Sequence, residues 1–388
     1  MTDRPFRSCV SLVVLLTCGQ CLALVFQTVV PVLPRIAEYF GGGPTGIFAA
    51  QMMMTLPSIG LIFGPLIAGW SARRFGSRSV LLAALGLFGL LGMAGLFISD
   101  RTVLLASRLA LGLAGGGIAT SSIALISERW DGTERARMVG LHSGFSSAFG
   151  LIFLLLSGVI AELGNWRTPF AIYGIAFVFL VAGALSLDPT PVAQRSRVGG
   201  RHADLVPLWW VFLAIVALWT VAWMTNAQTS FLLSEDGFTS PKMQSRVISA
   251  SLATNMIVGW NYGAIRRRLS PPTVLALCLA AMSGGITTVG LSSRPAEVAI
   301  GCGLTGAAVG ALGPFFFTFI GERVAPELRG QAIGLAYACM FVGDFVNPVV
   351  MTPLHAALGI HGAFIAVGMT LIAATVGSAA LRLRPARA

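Results

Sequence analysis

Long apolar runs limit the folds that are open to this chain. Apolar residues make up 55% of its 388 residues and charged residues only 11%, far from the balance of a soluble domain. The runs are about 20 residues long, which is the length that a helix needs to cross the hydrocarbon core of a bilayer. Because water cannot satisfy the backbone there, only helices or closed barrels can cross, and runs this long exclude a barrel. The sequence predicts an all-α membrane protein with twelve transmembrane helices, at 11–37, 45–70, 79–99, 102–127, 138–160, 167–187, 206–231, 244–264, 272–291, 295–320, 330–353 and 362–382. We number them spans 1 to 12.

The second half of the sequence repeats features of the first half at a constant offset of 194 residues, half of the chain length. Two equivalent halves in an apolar chain are typical of a duplicated membrane transporter, with the substrate where the halves meet. We therefore expect two pseudo-symmetric six-helix bundles, 1–187 and 206–388, joined by a polar, basic linker at 188–205. The matched pairs include Gly69 and Gly263, Gly112 and Gly306, Glu128 and Glu322, Arg135 and Arg329, and Phe170 and Phe364.

The basic residues predict an orientation. If the N-terminus is cytoplasmic, most of the 26 basic residues fall in inner loops, as the positive-inside rule requires. We expect a multi-pass protein of the inner membrane with both termini in the cytoplasm. Span 1 follows Arg4 and Arg7 but exceeds a signal-peptide core, so we expect a retained helix. The net charge of +11 then reflects topology and contact with anionic lipid, and no nucleic-acid partner is expected.

No enzyme is predicted. The sequence has no Walker loop for ATP, no H-E-x-x-H metal site and no nucleophile–base pair that spacing alone supports. The six cysteines lie in predicted spans, and Cys18 and Cys21, although spaced as C-x-x-C, are expected to be packing residues inside an apolar helix. We expect no cofactor, no metal and a monomeric protein.

The loop between spans 2 and 3, at 69–78, resembles the signature G-x-L-A-D-R-x-G-R-R of the major facilitator superfamily, and 263–269 is a degenerate copy. In span 4, Arg108 and Gly112 resemble that family's R-x-x-x-G pattern. The starts of spans 6 and 11, at 164–170 and 326–334, are also similar to those of the family. The resemblance covers the whole chain and implies a secondary transporter that works by alternating access, without indicating a substrate.

The resemblance also implies a cytoplasmic latch. In the family, the aspartate of the 69–78 loop pairs with arginines and helix ends, but here Arg73 replaces it. The negative charge would then come from Glu128, Asp131 or Glu134. The alternative is that these arginines only follow the positive-inside rule. The candidate latch residues are Gly69, Arg73, Arg74, Gly76, Arg78, Glu128, Arg135 and Arg329.

Asp344 is the carboxylate that falls near the centre of a predicted span, span 11. A charge there costs about 3 kcal/mol on insertion scales, so such residues usually face a cavity or a partner and mark ion or substrate paths. Burial favours the protonated carboxyl, which makes Asp344 a candidate carrier of a coupling proton. Asn347 lies one turn further along the same face. The alternative is a structural aspartate that holds span 11 against a neighbour.

Arg108 lies inside span 4, where it keeps its charge and needs an acceptor. Gln27 is a candidate acceptor, and it stands where related drug/proton antiporters often carry an aspartate. We expect Arg108 either to hold an anionic substrate or to cap helix carbonyls. An aromatic cavity with few charges would suit a moderately apolar organic compound, and its candidate lining is Trp223, Asn226, Asn255 and Phe316.

The predicted function is proton-coupled efflux of a small organic compound, with a coupling proton and membrane lipid as the other partners. The first alternative is uptake of a small metabolite, which Arg108 would suit if it were anionic. The second alternative is a membrane protein that handles lipid or acts as a sensor.

Overall fold

A computed structural model describes residues 3–130, 132–188, 206–325 and 328–382. These residues form helices and no strand. Residues 189–205, almost all of the predicted linker, lie outside the described part of the chain. The helices are α1 (Asp3–Thr17), α2 (Cys21–Gln27), α3 (Leu33–Tyr39), α4 (Gly43–Phe75), α5 (Ser77–Phe97), α6 (Arg101–Arg129), α7 (Gly132–Leu163), α8 (Ile175–Ser186), α9 (Trp209–Glu235), α10 (Pro241–Arg268), α11 (Pro271–Leu291), α12 (Pro295–Arg323) and α13 (Arg329–Arg382).

Span 1 is a broken helix, whereas the sequence predicted a continuous one. A 3-10 turn at Cys18–Gln20 separates α1 from α2, and a second at Val30–Val32 separates α2 from α3. Pro31 explains the second break, because proline has no N–H to donate and its ring clashes with the preceding turn. The first break places Gly19 directly against the ring of His142, where a Cβ would overlap the imidazole.

The other predicted spans coincide with helices to within a few residues. Spans 11 and 12 both belong to α13, which turns at Gly359, a residue with a φ of 70° that favours glycine. Span 6 starts with a 3-10 turn at Thr168–Gly174 before α8. Within the described residues, nine segments are long and apolar enough to cross a membrane, and the last, Arg329–Ala373, contains predicted residues of both spans 11 and 12. Two helices are not among the nine: α10, and α7, of which Ala148–Leu163 counts as a shorter apolar helix. The count of twelve crossings stays a prediction.

Large apolar side chains are exposed on the outer faces of several helices. Leu90, Leu185 and Ile300 each leave more than 60% of their surface uncovered. In water such side chains would destabilise a monomer, but hydrocarbon solvates them without cost. The exposed apolar surface is therefore what a membrane-embedded chain requires.

The chain divides into two compact units, Met1–Val198 and Gly199–Ala388, and each is built on the same helix contact. In the first unit, Gly112 of α6 packs against the Pro57 carbonyl of α4 so closely that a Cβ would overlap it. In the second unit, Gly306 of α12 packs in the same way against the Ser251 carbonyl of α10. Both residues of the second contact are offset by 194 positions from those of the first. The duplication in the sequence thus reproduces a backbone-to-backbone contact that small residues permit.

Candidate functional site

Asp344 is completely buried in α13 of the second unit. It follows Gly343, whose missing side chain lets α13 approach α9, since a Cβ there would lie 2.8 Å from both the Val216 carbonyl oxygen and the Trp219 Cβ. A carboxylate without surface exposure must be protonated or held by polar groups, because its charge is costly in an apolar medium. The structure therefore places the predicted coupling residue at the contact between α9 and α13.

Asn347 fixes this contact through two hydrogen bonds, and it is also completely buried. Its Oδ1 accepts a hydrogen bond of 3.1 Å from Nε2 of Gln228. Its Nδ2 donates a hydrogen bond of 2.7 Å to the backbone oxygen of Thr220. Both partners lie on α9, so the face of α13 that carries Asp344 is tied to α9 at two points two turns apart.

Gln228 and Thr220 are not among the site residues predicted from the sequence. The available signal was a polar stripe in an otherwise apolar span. Thr225, Gln228, Thr229 and Ser230 are all buried on α9. A stripe of this kind indicates a polar partner, although only the structure shows that Asn347 meets it.

The four residues of the predicted aromatic lining all lie on helices of the second unit. The Phe316 ring of α12 lies 6.3 Å from the Trp219 ring of α9, at an interplanar angle of 64°. Trp223 and Asn226, one and two turns further along α9, are half-buried. Asn255 is half-buried on α10, where its backbone packs on Gly310 of α12. Phe316 thus packs near Trp219 of α9, whereas Asn255 marks the contact between α10 and α12.

Arg108 is completely buried within the first unit. Its Nη2 donates to the carbonyl oxygens of Leu91, at 2.6 Å, and Gly92, at 3.1 Å. The guanidinium carbon also lies 5.0 Å from the centre of the Phe170 ring and 5.5 Å from that of Tyr173, within range of a cation–π interaction. This is the contact set that a carbonyl-capping role requires.

Gln27 does not pair with Arg108 in the structure. No hydrogen bond joins the two side chains in the described residues, and Oε1 of Gln27 is buried without a donor. Nε and Nη1 of Arg108 are likewise buried without an acceptor among those residues. Each side chain therefore keeps unused hydrogen-bonding capacity.

The end of the first unit that carries the predicted latch holds a network based on Glu128. Oε1 of Glu128 accepts a hydrogen bond of 2.6 Å from the Ser77 hydroxyl, next to the loop glycine Gly76, which has a φ of 80°. Arg129 donates to the Ser11 hydroxyl at 2.8 Å and lies 3.7 Å from the Asp188 carboxylate. The structure thus joins four helices here: α1, α5, α6 and the C-terminal end of α8.

The predicted latch arginines differ in their contacts. Arg78 donates a hydrogen bond of 2.8 Å to the Ala184 carbonyl oxygen. Arg73 and Arg74 are exposed, and the guanidinium of Arg74 lies 5.5 Å from the ring of Phe75. Gly69 has open space around it, and Arg329 is exposed at the start of α13. The side chain of Arg135 and all of Asp131 lie outside the described part of the structure.

No group of three or more histidine, cysteine, aspartate or glutamate residues that could hold a metal ion occurs in the described part of the chain. The five cysteines described there are free thiols, most of them buried.

The long apolar helices of the described residues define a multi-pass helical membrane protein. The family model of the Major Facilitator Superfamily matches residues 15–271, more than half of the chain, and the chain belongs to that superfamily. It is a membrane transporter and not an enzyme.

Curated relatives of this chain are transporters. It is 24% identical over 368 residues to the niacin transporter NiaP of Acinetobacter baylyi, a match covering 83% of this chain and 82% of that protein. It is 26% identical over 369 residues to the 3-(3-hydroxy-phenyl)propionate transporter of Escherichia coli, covering 86% and 85%. A probable multidrug-efflux transporter of Mycobacterium tuberculosis is 25% identical over 306 residues, covering 78% of this chain and 58% of that protein. Among solved structures, the D-xylose-proton symporter has the same fold, with a TM-score of 0.73 at 17% identity over 96% of this chain and 97% of that chain.

Proposed function

We propose that this protein is a proton-coupled exporter of a small organic compound in the inner membrane, and that Asp344 carries the coupling proton. The observation that carries the proposal is the complete burial of this carboxyl group in α13, beside the polar stripe of α9. An aspartate inside a membrane span usually marks an ion or substrate path.

Coupling follows from the different cost of the two protonation states. The protonated carboxyl is neutral and tolerates complete burial, whereas the carboxylate requires water, polar groups or a cationic partner. A conformation that opens this region to one side of the membrane therefore favours release of the proton to that side. A proton that binds two states with different affinity shifts the population between them, which is the thermodynamic requirement for coupling.

Export of a moderately apolar compound is consistent with the side chains near the site. Asn347, Gln228 and Thr220 are neutral, and Trp219 and Phe316 contribute aromatic surface. Arg108 already donates to two backbone carbonyls in the first unit. The relative named as a probable multidrug-efflux transporter supports this assignment.

Transport of an aromatic carboxylate is the second candidate. Two relatives that match most of this chain are named for niacin and 3-(3-hydroxy-phenyl)propionate, both of which carry an aromatic ring and a carboxyl group. A carboxylate substrate requires a cation or strong donors, and Nε and Nη1 of Arg108 are buried donors without an acceptor in the described residues. In this case Nη2 of Arg108 keeps its contacts with the two backbone carbonyls, and Nε and Nη1 donate hydrogen bonds to the substrate carboxylate.

We further propose that the Glu128 network acts as the cytoplasmic latch of this chain. The negative charge comes from the end of α6, and its partner is the Ser77 hydroxyl of α5. Arg129 extends the network to Ser11 and Asp188. The latch would thus work without the aspartate that Arg73 replaces in the loop.

An untargeted mass-spectrometric comparison of cells and medium tests the function. Cells expressing the wild type are compared with cells expressing Asp344→Asn and Asp344→Glu at matched membrane abundance; the glutamate variant is the control because it keeps an ionisable carboxyl. We expect one class of compound to be enriched in the medium with the wild type only, or with the wild type and the glutamate variant. Enrichment of aromatic acids inside the cells would instead support the second candidate. No difference in either compartment would contradict both and favour a lipid-handling or sensing role.

A further inference from the structure

His361 joins the turn of α13 to the ends of two other helices in the second unit. It lies just after the turn of α13 at Gly359, and its Nδ1 is 2.9 Å from the carbonyl oxygen of Gly290 at the end of α11. Its Nε2 is 3.0 Å from Oδ1 of Asp236, which follows the end of α9. The Asp236 side chain is only 14% exposed, and its other oxygen is buried without a donor among the described residues. This ring therefore stands between two acceptors.

The two contacts together require one proton more than a neutral imidazole beside a carboxylate holds. A neutral imidazole has one N–H and one lone pair, so it can donate to only one of two oxygen atoms. The other ring nitrogen would then direct its lone pair at an oxygen about 3 Å away, which is repulsive. Only the doubly protonated imidazolium donates to both Gly290 and Asp236, and its charge also compensates the buried carboxylate. The pair of His361 and Asp236 therefore holds this extra proton, either as an imidazolium beside a carboxylate or as a neutral ring beside a carboxylic acid.

The equivalent residue of the first unit is a permanent cation. His361 is offset from Arg167 by the same 194 positions that relate the two halves. Nη1 of Arg167 donates to the carbonyl oxygens of Gly95, at 3.1 Å, and Ile98, at 2.8 Å, at the end of α5. Nη2 donates to the Tyr39 hydroxyl at the end of α3. Each unit therefore has a basic side chain that contacts the ends of two other helices, a permanent cation in the first unit and a histidine in the second.

We propose that His361 is a proton-binding site, and that its protonation closes the tie between the ends of α9 and α11 and the turn of α13 at Gly359. Histidine is the side chain that changes charge between about pH 5 and pH 8. Below this range both ring nitrogens donate and the tie is complete. As the pH rises and the second proton leaves, one hydrogen bond is lost and Asp236 loses its compensating charge, so the helix ends separate more often. In the predicted orientation this is the outer end, where an imposed proton gradient is sensed.

The other charged groups at this end do not replace His361. His355 pairs with Glu235 through a single contact of 3.0 Å at Nε2, which a neutral tautomer can make, so its geometry does not require a charge. Arg294 lies 3.7 Å from Glu297 at the start of α12. Lys242 and Arg246 are exposed at the start of α10, and α11 carries no charged side chain.

Hydrogen–deuterium exchange of the full-length protein in detergent tests the site, with no substrate required. Peptides from 233–243, 286–294 and 355–364 are compared at about pH 5.5 and about pH 8.5, corrected for intrinsic exchange rates, since these values bracket the titration of histidine. We expect about tenfold stronger protection at the lower pH in the wild type, the effect of one charge-assisted hydrogen bond. His361→Arg should be protected at both pH values, and His361→Gln should lose the pH dependence.

Two further variants complete the test. Asp236→Asn should also lose the pH dependence, because an amide can donate or accept and so suits a neutral ring. His355→Gln is the matched control, since it removes the other histidine at this end, and it should keep the pH dependence of the wild type. Equal protection of the wild type at both pH values would overturn the proposal. A pH dependence that persists in His361→Arg, or that disappears in His355→Gln, would overturn it as well.

Discussion

Asn347 and Gln228 share a buried hydrogen bond of 3.1 Å that ties α13 to α9 one turn away from Asp344. The second bond of Asn347, to the Thr220 carbonyl, makes this side chain a bridge between two points of α9. The position of the proposed proton carrier is therefore set by a neutral polar contact. The contact can be removed without touching the carboxyl group, which allows stability and coupling to be measured separately.

Asn347→Leu is expected to destabilise the protein by about 1–3 kcal/mol, because the Gln228 amide then lacks the acceptor it has in the wild type while it stays buried. The measurement is thermal unfolding in detergent. Asn261→Leu is the control, since Asn261 is exposed and bonds only to the Ile257 carbonyl of its own helix. Equal melting of Asn347→Leu and the wild type would contradict the assigned bridge.

Gly112→Ala and Gly306→Ala are expected to lower the yield of folded protein to a similar extent. In each case the new methyl group overlaps a backbone carbonyl, that of Pro57 or that of Ser251, and a backbone cannot move aside as a flexible side chain can. Gly263→Ala is the control, because open space surrounds Gly263 in α10 and alanine is the better helix former by about 1 kcal/mol. Size-exclusion chromatography of the purified variants measures the effect. A loss in only one of the two glycine variants would argue against equivalent packing of the two units.

The fold could be predicted from the sequence to the extent that it depends on apolar run length. Helices in lipid must satisfy their own backbone, so runs of about 20 residues mark them reliably. The two breaks in span 1 were not predicted, although Gly19 and Pro31 lie in them. The length of an apolar run predicts a crossing segment but does not show where its backbone leaves the α-helical conformation. The 194-residue offset correctly paired the Gly112 and Gly306 contacts.

The candidate site could be predicted only in part. Asp344 can be recognised from the sequence because it is a charged residue in an apolar run. That Gln228 and Thr220 lie beside Asn347 depends on how α9 packs against α13, which the sequence does not show. The acceptors of Arg108 are backbone oxygens, which every residue carries, so no sequence pattern reveals them. The same limitation applies to the carbonyl of Gly290 beside His361.

Arg108→Met distinguishes the two candidate functions. We expect it to destabilise the first unit by about 1–3 kcal/mol through the loss of two carbonyl contacts and a cation–π interaction, yet to keep transport per folded molecule. Arg101→Met serves as the control, since Arg101 starts the same helix and makes no hydrogen bond or ion pair in the described structure. Thermal unfolding and transport are measured on the same preparations. A variant that melts like the wild type but no longer transports would instead favour the carboxylate substrate.

A double-mutant cycle on Ser77→Ala and Glu128→Gln measures the latch. We expect a coupling energy of about 0.5–1 kcal/mol, kept small by the solvent exposure of Glu128. The same cycle with Arg73→Ala in place of Ser77→Ala should give no coupling, because the structure describes no contact between Arg73 and Glu128. Coupling to Arg73 alone would restore the loop arginine as the partner of the carboxylate.

Proton flux through the purified protein tests the central claim most directly. The protein is reconstituted in liposomes that contain a pH-sensitive dye, with the compound class found by mass spectrometry as substrate. The flux of protons is recorded alongside counterflow of the isotopically labelled compound, which requires no net proton movement. We predict that the wild type shows both signals, and that Asp344→Asn keeps counterflow but loses the substrate-dependent proton flux. Proton flux of wild-type size in Asp344→Asn would contradict the assignment of Asp344 as the proton carrier.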